Sequence, residues 1–231
     1  PQSRGTAQLY GVELDSITGR IAKQLYPKAN ITVSGFEHVN LPDNSIDLAV
    51  GNVPFGNYRL SDPRYKQYAF LIHDYFFAKT LDKVRTGGIV AFITSKGTMD
   101  KQDTAVREYL AQRADLLGAV RLPSSAFSKT ANTELTPDIL FLQKRDTPPE
   151  QLPDWVQLGK TADGIPVNRY YEQHPEMVLG TMIWDKSMYG NEKETSCQPL
   201  PDADLKELLA AASAQIAMPD TELLARPSRV T

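Results

Sequence analysis

The chain is poor in the residues that build covalent and metal frameworks. It has one cysteine, Cys197, among 231 residues. That excludes an internal disulfide and any multi-cysteine zinc site, and it fits a reducing cytoplasm. The three histidines, His38, His73 and His174, are scattered and make no metal-ligand spacing, so no metal is expected. No apolar run approaches the length of a membrane span, and the start has no signal-peptide pattern. Positive charge is not in excess either. At a net charge of -3, bulk electrostatics does not advertise nucleic-acid binding, which would need a local basic patch or a partner domain.

What remains is the composition of a soluble globular protein, 41% hydrophobic and 23% charged, long enough for one sizeable domain and an extension. Position 1 is Pro rather than Met, which reads as a piece of a larger multidomain protein.

Ala7 to Leu14 is a buried-strand pattern ending at Glu13. Ser16 is placed to cap a helix with Ile17, Ile21 and Leu25 on one face, and Tyr26-Pro27 stops it. Ile31 to Ser34 is a second short strand, leading to Gly35-Phe36-Glu37. Asp43-Asn44 is turn chemistry, and Ile46 to Val50 is a third strand. A long helix is expected over Tyr65 to Arg85, with Phe70, Phe77, Leu81 and Val84 on one side and Gly87-Gly88 as its left-handed cap. Then follow a strand at Ile89 to Thr94, a helix at Asp103 to Arg113, and strands at Leu116 to Leu122 and Pro137 to Lys144.

Strands alternating with helices, then two late strands with no helix between them, predict an α/β fold. The expected form is a Rossmann-like, mostly parallel, doubly wound sheet with a terminal antiparallel strand. Residues 1–145 would be the core. Residues 146–231 would be a linker, Pro-rich over Asp146 to Pro153, and a helical accessory segment. In such sheets ligands bind beyond the carboxyl ends of the strands, where Glu13, Glu37, Asn52 and Lys96 all fall.

The densest signal is Ile46-Asp47-Leu48-Ala49-Val50-Gly51-Asn52-Val53-Pro54-Phe55-Gly56, a strand that ends by presenting an amide, a carbonyl and a ring. On its own this is also how an ordinary strand enters a turn. Asn52-Val53-Pro54-Phe55 resembles the Asn-Pro-Pro-Tyr/Phe motif of amino-methyltransferases that use S-adenosylmethionine. Gly11-Val12-Glu13-Leu14-Asp15 resembles their acidic strand end, and Gly88 to Thr94 their Gly-Gly strand. Leu122 to Phe127 with Thr136 to Leu142 resembles the terminal hairpin of the DNA adenine-N6 group, found in restriction-system modification subunits and in methylase-helicase fusions of mobile elements. Order and spacing agree over about residues 7 to 180.

The resemblance implies a flipped adenine in DNA as substrate and S-adenosylmethionine as cofactor. The adenine amine is a weak nucleophile because its lone pair is delocalised into the ring. The Asn52 oxygen and the Val53 carbonyl would accept its two hydrogens and favour a pyramidal nitrogen. Pro54 would fix the backbone and Phe55 would stack on the base. Val53 departs from the motif's first proline, which predicts a less rigid loop. Glu13 would hold the cofactor ribose, and Glu37 either its adenine or solvent. Arg59, Arg64 and Lys66 either track phosphates or line a solvated loop, and Lys96 is either near the site or an ordinary surface lysine. Ser124, Ser125 and Thr130 have no His/Asp arrangement for nucleophilic hydrolysis. A glutamine side-chain amide would meet the same two acceptors, and a non-catalytic docking platform on the same fold is the reading from another class.

The family's glycine turn and central first strand precede the acidic strand end, a unit of about 20 to 30 residues. Twelve residues precede Glu13 here, with one glycine, Gly5. The expectation is therefore that this chain lacks both, leaving neighbouring strands to pair with each other, with another chain or with the tail. Calorimetric titration of the chain with S-adenosylmethionine should give weak or no binding; micromolar affinity would contradict it.

Overall fold

The computed structural model describes residues 7–127, 135–186 and 193–226. β1 (Tyr10–Glu13) leads into α1 (Ser16–Leu25), whose cap is Asp15 rather than Ser16. The Asp15 carboxylate accepts from the Ile17 and Thr18 amides at 3.0 and 2.7 Å, which satisfies two of the free donors of the first turn. β2 (Asn30–Val33) pairs in parallel with β1. Asn44 takes the left-handed conformation that the Asp43-Asn44 turn requires, and β3 (Ile46–Asn52) follows.

The second helix is shorter than expected. α2 spans Ile72–Lys83, and Lys66–Tyr68 forms only a 3-10 turn. Val84 is already extended, so β4 runs Val84–Ser95 and Gly87-Gly88 lie inside it rather than capping the helix. Gly87 does have φ +78, as a cap would, but for another reason. A Cβ there would overlap the Leu223 carbonyl of a C-terminal helix.

α3 (Gly97–Asp100) and α4 (Ala105–Ala111) lead to β5 (Ala114–Arg121) and β6 (Pro137–Lys144). The main sheet has the order β3-β4-β6-β5. β3 is parallel to β4, and β6 is antiparallel to both β4 and β5. Three of its four strands therefore run the same way. The antiparallel strand is last of the core in sequence, yet lies inside the sheet between β4 and β5. β1 and β2 form a separate parallel pair.

The segment expected to be helical also contains strands. β7 (Leu158–Lys160) and β8 (Pro166–Asn168) form a short antiparallel pair, followed by α5 (Arg169–Gln173). β9 (Gly180–Lys186) and β10 (Lys193–Pro199) pair antiparallel. α6 (Leu205–Ser213) and α7 (Thr221–Ala225) complete the described chain. Val156, Val167, Tyr171, Met177 and Cys197 are buried in the same core as Phe77, Val90, Val120 and Leu140. A buried ionic knot joins the two parts. Arg121 donates to both Asp138 oxygens at 2.8 Å and to Asp100 at 2.7 Å, with its guanidinium 4.4 Å from the centre of the Tyr171 ring. Burial opposes that charge, but the Asp100 and Asp138 carboxylates outweigh it and keep Arg121 protonated.

At the start of α2, buried His73 has Nε2 3.4 Å from Asp74 Oδ1 without hydrogen-bond alignment. Burial holds its pKa below the ordinary 6.5, against the pull of Asp74. Above pH 6.5 the folded and unfolded chains both keep it neutral. Below that, the unfolded chain takes up the proton first, so stability falls as the pH drops toward the folded value. His73→Gln should flatten the urea midpoint's dependence on pH between about 6.5 and 5; an unchanged slope in the variant would exclude His73 as its source.

Candidate functional site

The site is built at the carboxyl ends of β3 and β4. Asn52 is the last residue of β3, opposite Ile93, and it is exposed. The chain then turns inward. Val53 is 4% exposed, and its amide donates to the Ile93 carbonyl at 3.1 Å. That bond adds a rung beyond the strand proper which a proline could not make. The expected loss of rigidity at Val53 is therefore offset by a backbone bond and a side chain anchored in the core. Neither the Asn52 side chain nor the Val53 carbonyl has a hydrogen-bond partner among the described residues. Two acceptors are thus left at a strand tip whose backbone is held. Pro54 and Phe55 are half-buried, and the Phe55 ring rests against the core.

The neighbouring strand tip contributes Lys96, which caps α3. Its amide donates to the Thr136 carbonyl at 2.9 Å, and its Nζ is 3.2 Å from the Thr195 hydroxyl on β10. Lys96 is therefore half-buried and held by the β9–β10 hairpin rather than free in solvent. Thr136 also accepts the Cys197 amide at 3.1 Å, which seats that hairpin beside the rim. Burial raises the Cys197 thiol to about 12, so it stays protonated near neutrality. Sequence reasoning passed over this hairpin. Its signal was the run of strand-forming residues Thr181-Met182-Ile183-Trp184.

The three cations of the loop after Phe55 separate. Arg64 bonds Asp43 at 2.7 Å and lies 3.0 Å from Asp82, so it braces the loop against the β3 entry turn and α2. Arg59 and Lys66 are exposed, and neither forms an ion pair among the described residues. Asp62 anchors the loop from within, accepting from the Tyr75 hydroxyl at 2.7 Å and from Lys79 at 3.2 Å. Burial would raise its pKa, but these bonds together hold it below the ordinary carboxylate value.

Glu13 ends β1, and one of its oxygens accepts the Asp15 amide at 3.0 Å. Glu37 lies in the turn Phe36–His38 and folds back over Gly35, where a Cβ would strike its carboxylate. Its backbone carbonyl takes Lys79 at 2.9 Å, and Phe36 packs on Phe76 with ring centres 4.7 Å apart. These contacts tie the β2 end to α2. Ser124 and Ser125 lie in a short turn after β5, and Thr130 lies outside the described residues. No cluster of three or more His, Cys, Asp or Glu suited to a metal occurs among the described residues, and no described helix is long and apolar enough to cross a membrane.

No protein-family model matches the chain. A stretch of 138 residues is 33% identical to the Defense against restriction protein B of Escherichia phage P1, covering 57% of this chain and 6% of that protein. The chain thus spans a small part of the curated relative it matches. Among solved structures, it is similar to one assigned as a class I S-adenosylmethionine-dependent methyltransferase from Listeria monocytogenes. The identity is 21% and the TM-score 0.51, over 63% of this chain and 48% of that one. It also overlaps a modification subunit assigned to a type I restriction enzyme of Vibrio vulnificus, at 17% identity and TM-score 0.48, over 87% and 49% of the two chains. The fold is a Rossmann-like α/β fold with a mainly parallel sheet, similar to that of the Listeria structure.

Restoring proline at position 53 should weaken this protein. Val53→Pro removes the rung to Ile93 and should cost about 1–2 kcal/mol in urea denaturation; an unchanged midpoint would mean that the rung contributes nothing.

Proposed function

We propose that this chain is the catalytic part of a DNA adenine-N6 methyltransferase that takes its methyl group from S-adenosylmethionine. The observation that carries the reading is the pair of unpartnered acceptors at the β3 tip, the Asn52 amide oxygen and the Val53 carbonyl, followed directly by an aromatic ring. Together they suit an exocyclic amine on a planar base. The two acceptors hold its two hydrogens and draw the lone pair out of conjugation. The Phe55 ring stacks on the extruded base, and its π face favours the positive charge that grows on nitrogen. Arg59 and Lys66 are exposed and form no ion pair among the described residues, which leaves them available to phosphates. Kinship in part with a protein named for defence against restriction supports DNA as the setting.

The residues present fit the cofactor at its nucleoside end. Glu13 retains one carboxylate oxygen for the ribose hydroxyls, and Glu37 offers an acceptor in the turn after β2. No described residue is assigned to the amino-acid end. When bound, S-adenosylmethionine would supply an electrophilic methyl group. The chain's own residues bind the amine, orient its lone pair and stack on the base.

A second reading has its own support. The main sheet and the β1–β2 pair are not joined among the described residues, so the cofactor side is less complete than the base side. A docking platform without catalysis would tolerate that. The full-length protein decides the matter, assayed on unmethylated duplex DNA and on a glutamine-bearing peptide. Asn52→Ala should lower DNA methylation by about 100-fold or more while leaving stability unchanged, because the side chain is exposed and unpartnered. Retained activity would remove Asn52 from the chemistry. Transfer to the peptide alone would move the substrate from base to amide, and absence of any transfer by the unaltered protein would favour the platform.

A further inference from the structure

The β9–β10 hairpin crosses the rim on which the candidate site lies. Its pair Met182 and Cys197 sits at the far side of the sheet. Arg121, at the end of β5, reaches Met182 Sδ at 3.9 Å, and the Cys197 amide donates to the Thr136 hydroxyl, one residue before β6, at 3.1 Å. Two residues further, the pair Trp184 and Thr195 has reached β4, where Lys96 Nζ donates to the Thr195 hydroxyl at 3.2 Å. In the sheet order β3-β4-β6-β5, the hairpin therefore advances from β5 and β6 to β4. The next strand end in that direction is β3, with Asn52 at its tip.

Residues two apart on a strand share a face, and so do residues paired across a ladder. Met182, Trp184, Thr195 and Cys197 therefore stand on one face of the hairpin. Met182 and Cys197 are buried, so this face is turned onto the protein. Trp184 lies on it beyond the core, 49% exposed, and makes no ring contact among the described residues. The exposed acids Asp185 and Glu194 are one residue along and face the other way. Lys96, beside the indole, forms no ion pair among the described residues. An aromatic plane and an unneutralised cation thus converge at the β4 tip, on a hairpin anchored to β4, β5 and the entry to β6.

Strand geometry sets their distance from Asn52. Asn52 pairs with Ile93, and Lys96 is three residues on, so the two Cα atoms are about 11 Å apart. At about 3.4 Å per stacked base, that is about three nucleotides along a strand. The indole is therefore placed for a neighbour of the extruded base rather than for that base. Extrusion leaves the faces of the neighbours unstacked, and an indole plane can cover one of them whatever its sequence.

We propose that Trp184 is a DNA-contact residue that stacks on a base flanking the extruded one, with Lys96, oriented by Thr195, on the adjoining phosphate. The inference deepens the proposed function and rests on its choice of DNA as partner. It gives the β9–β10 hairpin a part in holding the substrate strand and none in methyl transfer.

The test uses the tryptophan emission of the whole chain, whose other tryptophan, Trp155, is buried. The probe is an unmethylated duplex carrying mismatched adenines, whose extrusion costs least. DNA should quench the unaltered chain and leave Trp184→Phe, with Trp155 alone, unchanged. By fluorescence anisotropy of labelled duplex, Trp184→Ala should weaken binding about tenfold, and Trp184→Phe, which keeps a stacking ring, should recover most of it. Lys96→Gln should lower the slope of log affinity against log salt by about one. Absence of quenching, unchanged affinity in Trp184→Ala, or equal weakening by both substitutions would overturn the proposal. So would emission that changes with protein concentration instead of DNA, which would assign the indole to a contact between copies. Unchanged affinity in Trp184→Ala, with methylation by the full-length protein lost in Asn52→Ala, would strike this proposal and leave the catalytic reading. Quenching and weakened binding without methyl transfer by the full-length protein would do the reverse.

Discussion

A β-strand carries hydrogen-bonding groups on two edges, and burial is stable only where both are satisfied. In this protein β4 meets that condition fully. β3 pairs on one side of it, β6 on the other, and α2 packs against it. The most completely buried apolar residues gather around it. β3 meets the condition on one edge, and its outer residues stand in solvent. The candidate site lies where the satisfied side gives way to the open one. Asn52 ends β3, and one residue later the chain is drawn back into the core by Val53.

That position suits the chemistry proposed for it. A strand tip fixed by backbone bonds can hold an amide in a defined direction without using the amide itself as an anchor. The supporting contacts lie elsewhere. Arg64 joins the loop to Asp43 and Asp82, and Asp62 takes Tyr75 and Lys79. The β9–β10 hairpin holds Lys96. The C-terminal part meets the Arg121 knot through the Tyr171 ring over the guanidinium and through the Asn168 amide, which donates to Asp100 at 2.9 Å. At the base of β4, Arg85 donates to the Leu224 carbonyl at 2.8 Å and Gln143 bridges Gly87 and Asp220. Nothing in this bracing uses Asn52, which leaves it free to meet a substrate.

The alternation of elements was legible from the residues because each strand of the core carries its own apolar pattern between turn residues. The motif was legible because Asn-Val-Pro-Phe follows such a strand directly. The long helix was misjudged at both ends for a definable reason. Phe70 and Val84 continue the apolar face of α2, but they are buried by their neighbours in a loop and a strand, and burial alone does not distinguish these from a helix. Gly87 resembled a cap because it requires a left-handed backbone, whose cause is the close approach of Leu223, far along the chain. Asp15 rather than Ser16 caps α1 because its carboxylate reaches two amides at once.

The sequence by itself determined local facts: which stretches are strands, that the fold is α/β, and that an amide, a carbonyl and a ring stand together at one strand end. These depend on residues close in the chain, whose periodicity and turn chemistry are short-ranged. Only the tertiary structure decided the rest. It placed β6 between β4 and β5, used Arg64 as a brace, brought Thr195 to Lys96 and gave Val53 a rung that no proline could make. It also showed that β1 and β3 do not close on each other. Those outcomes depend on partners distant in sequence and on which edge of a strand is left without one, and neither is written in local composition.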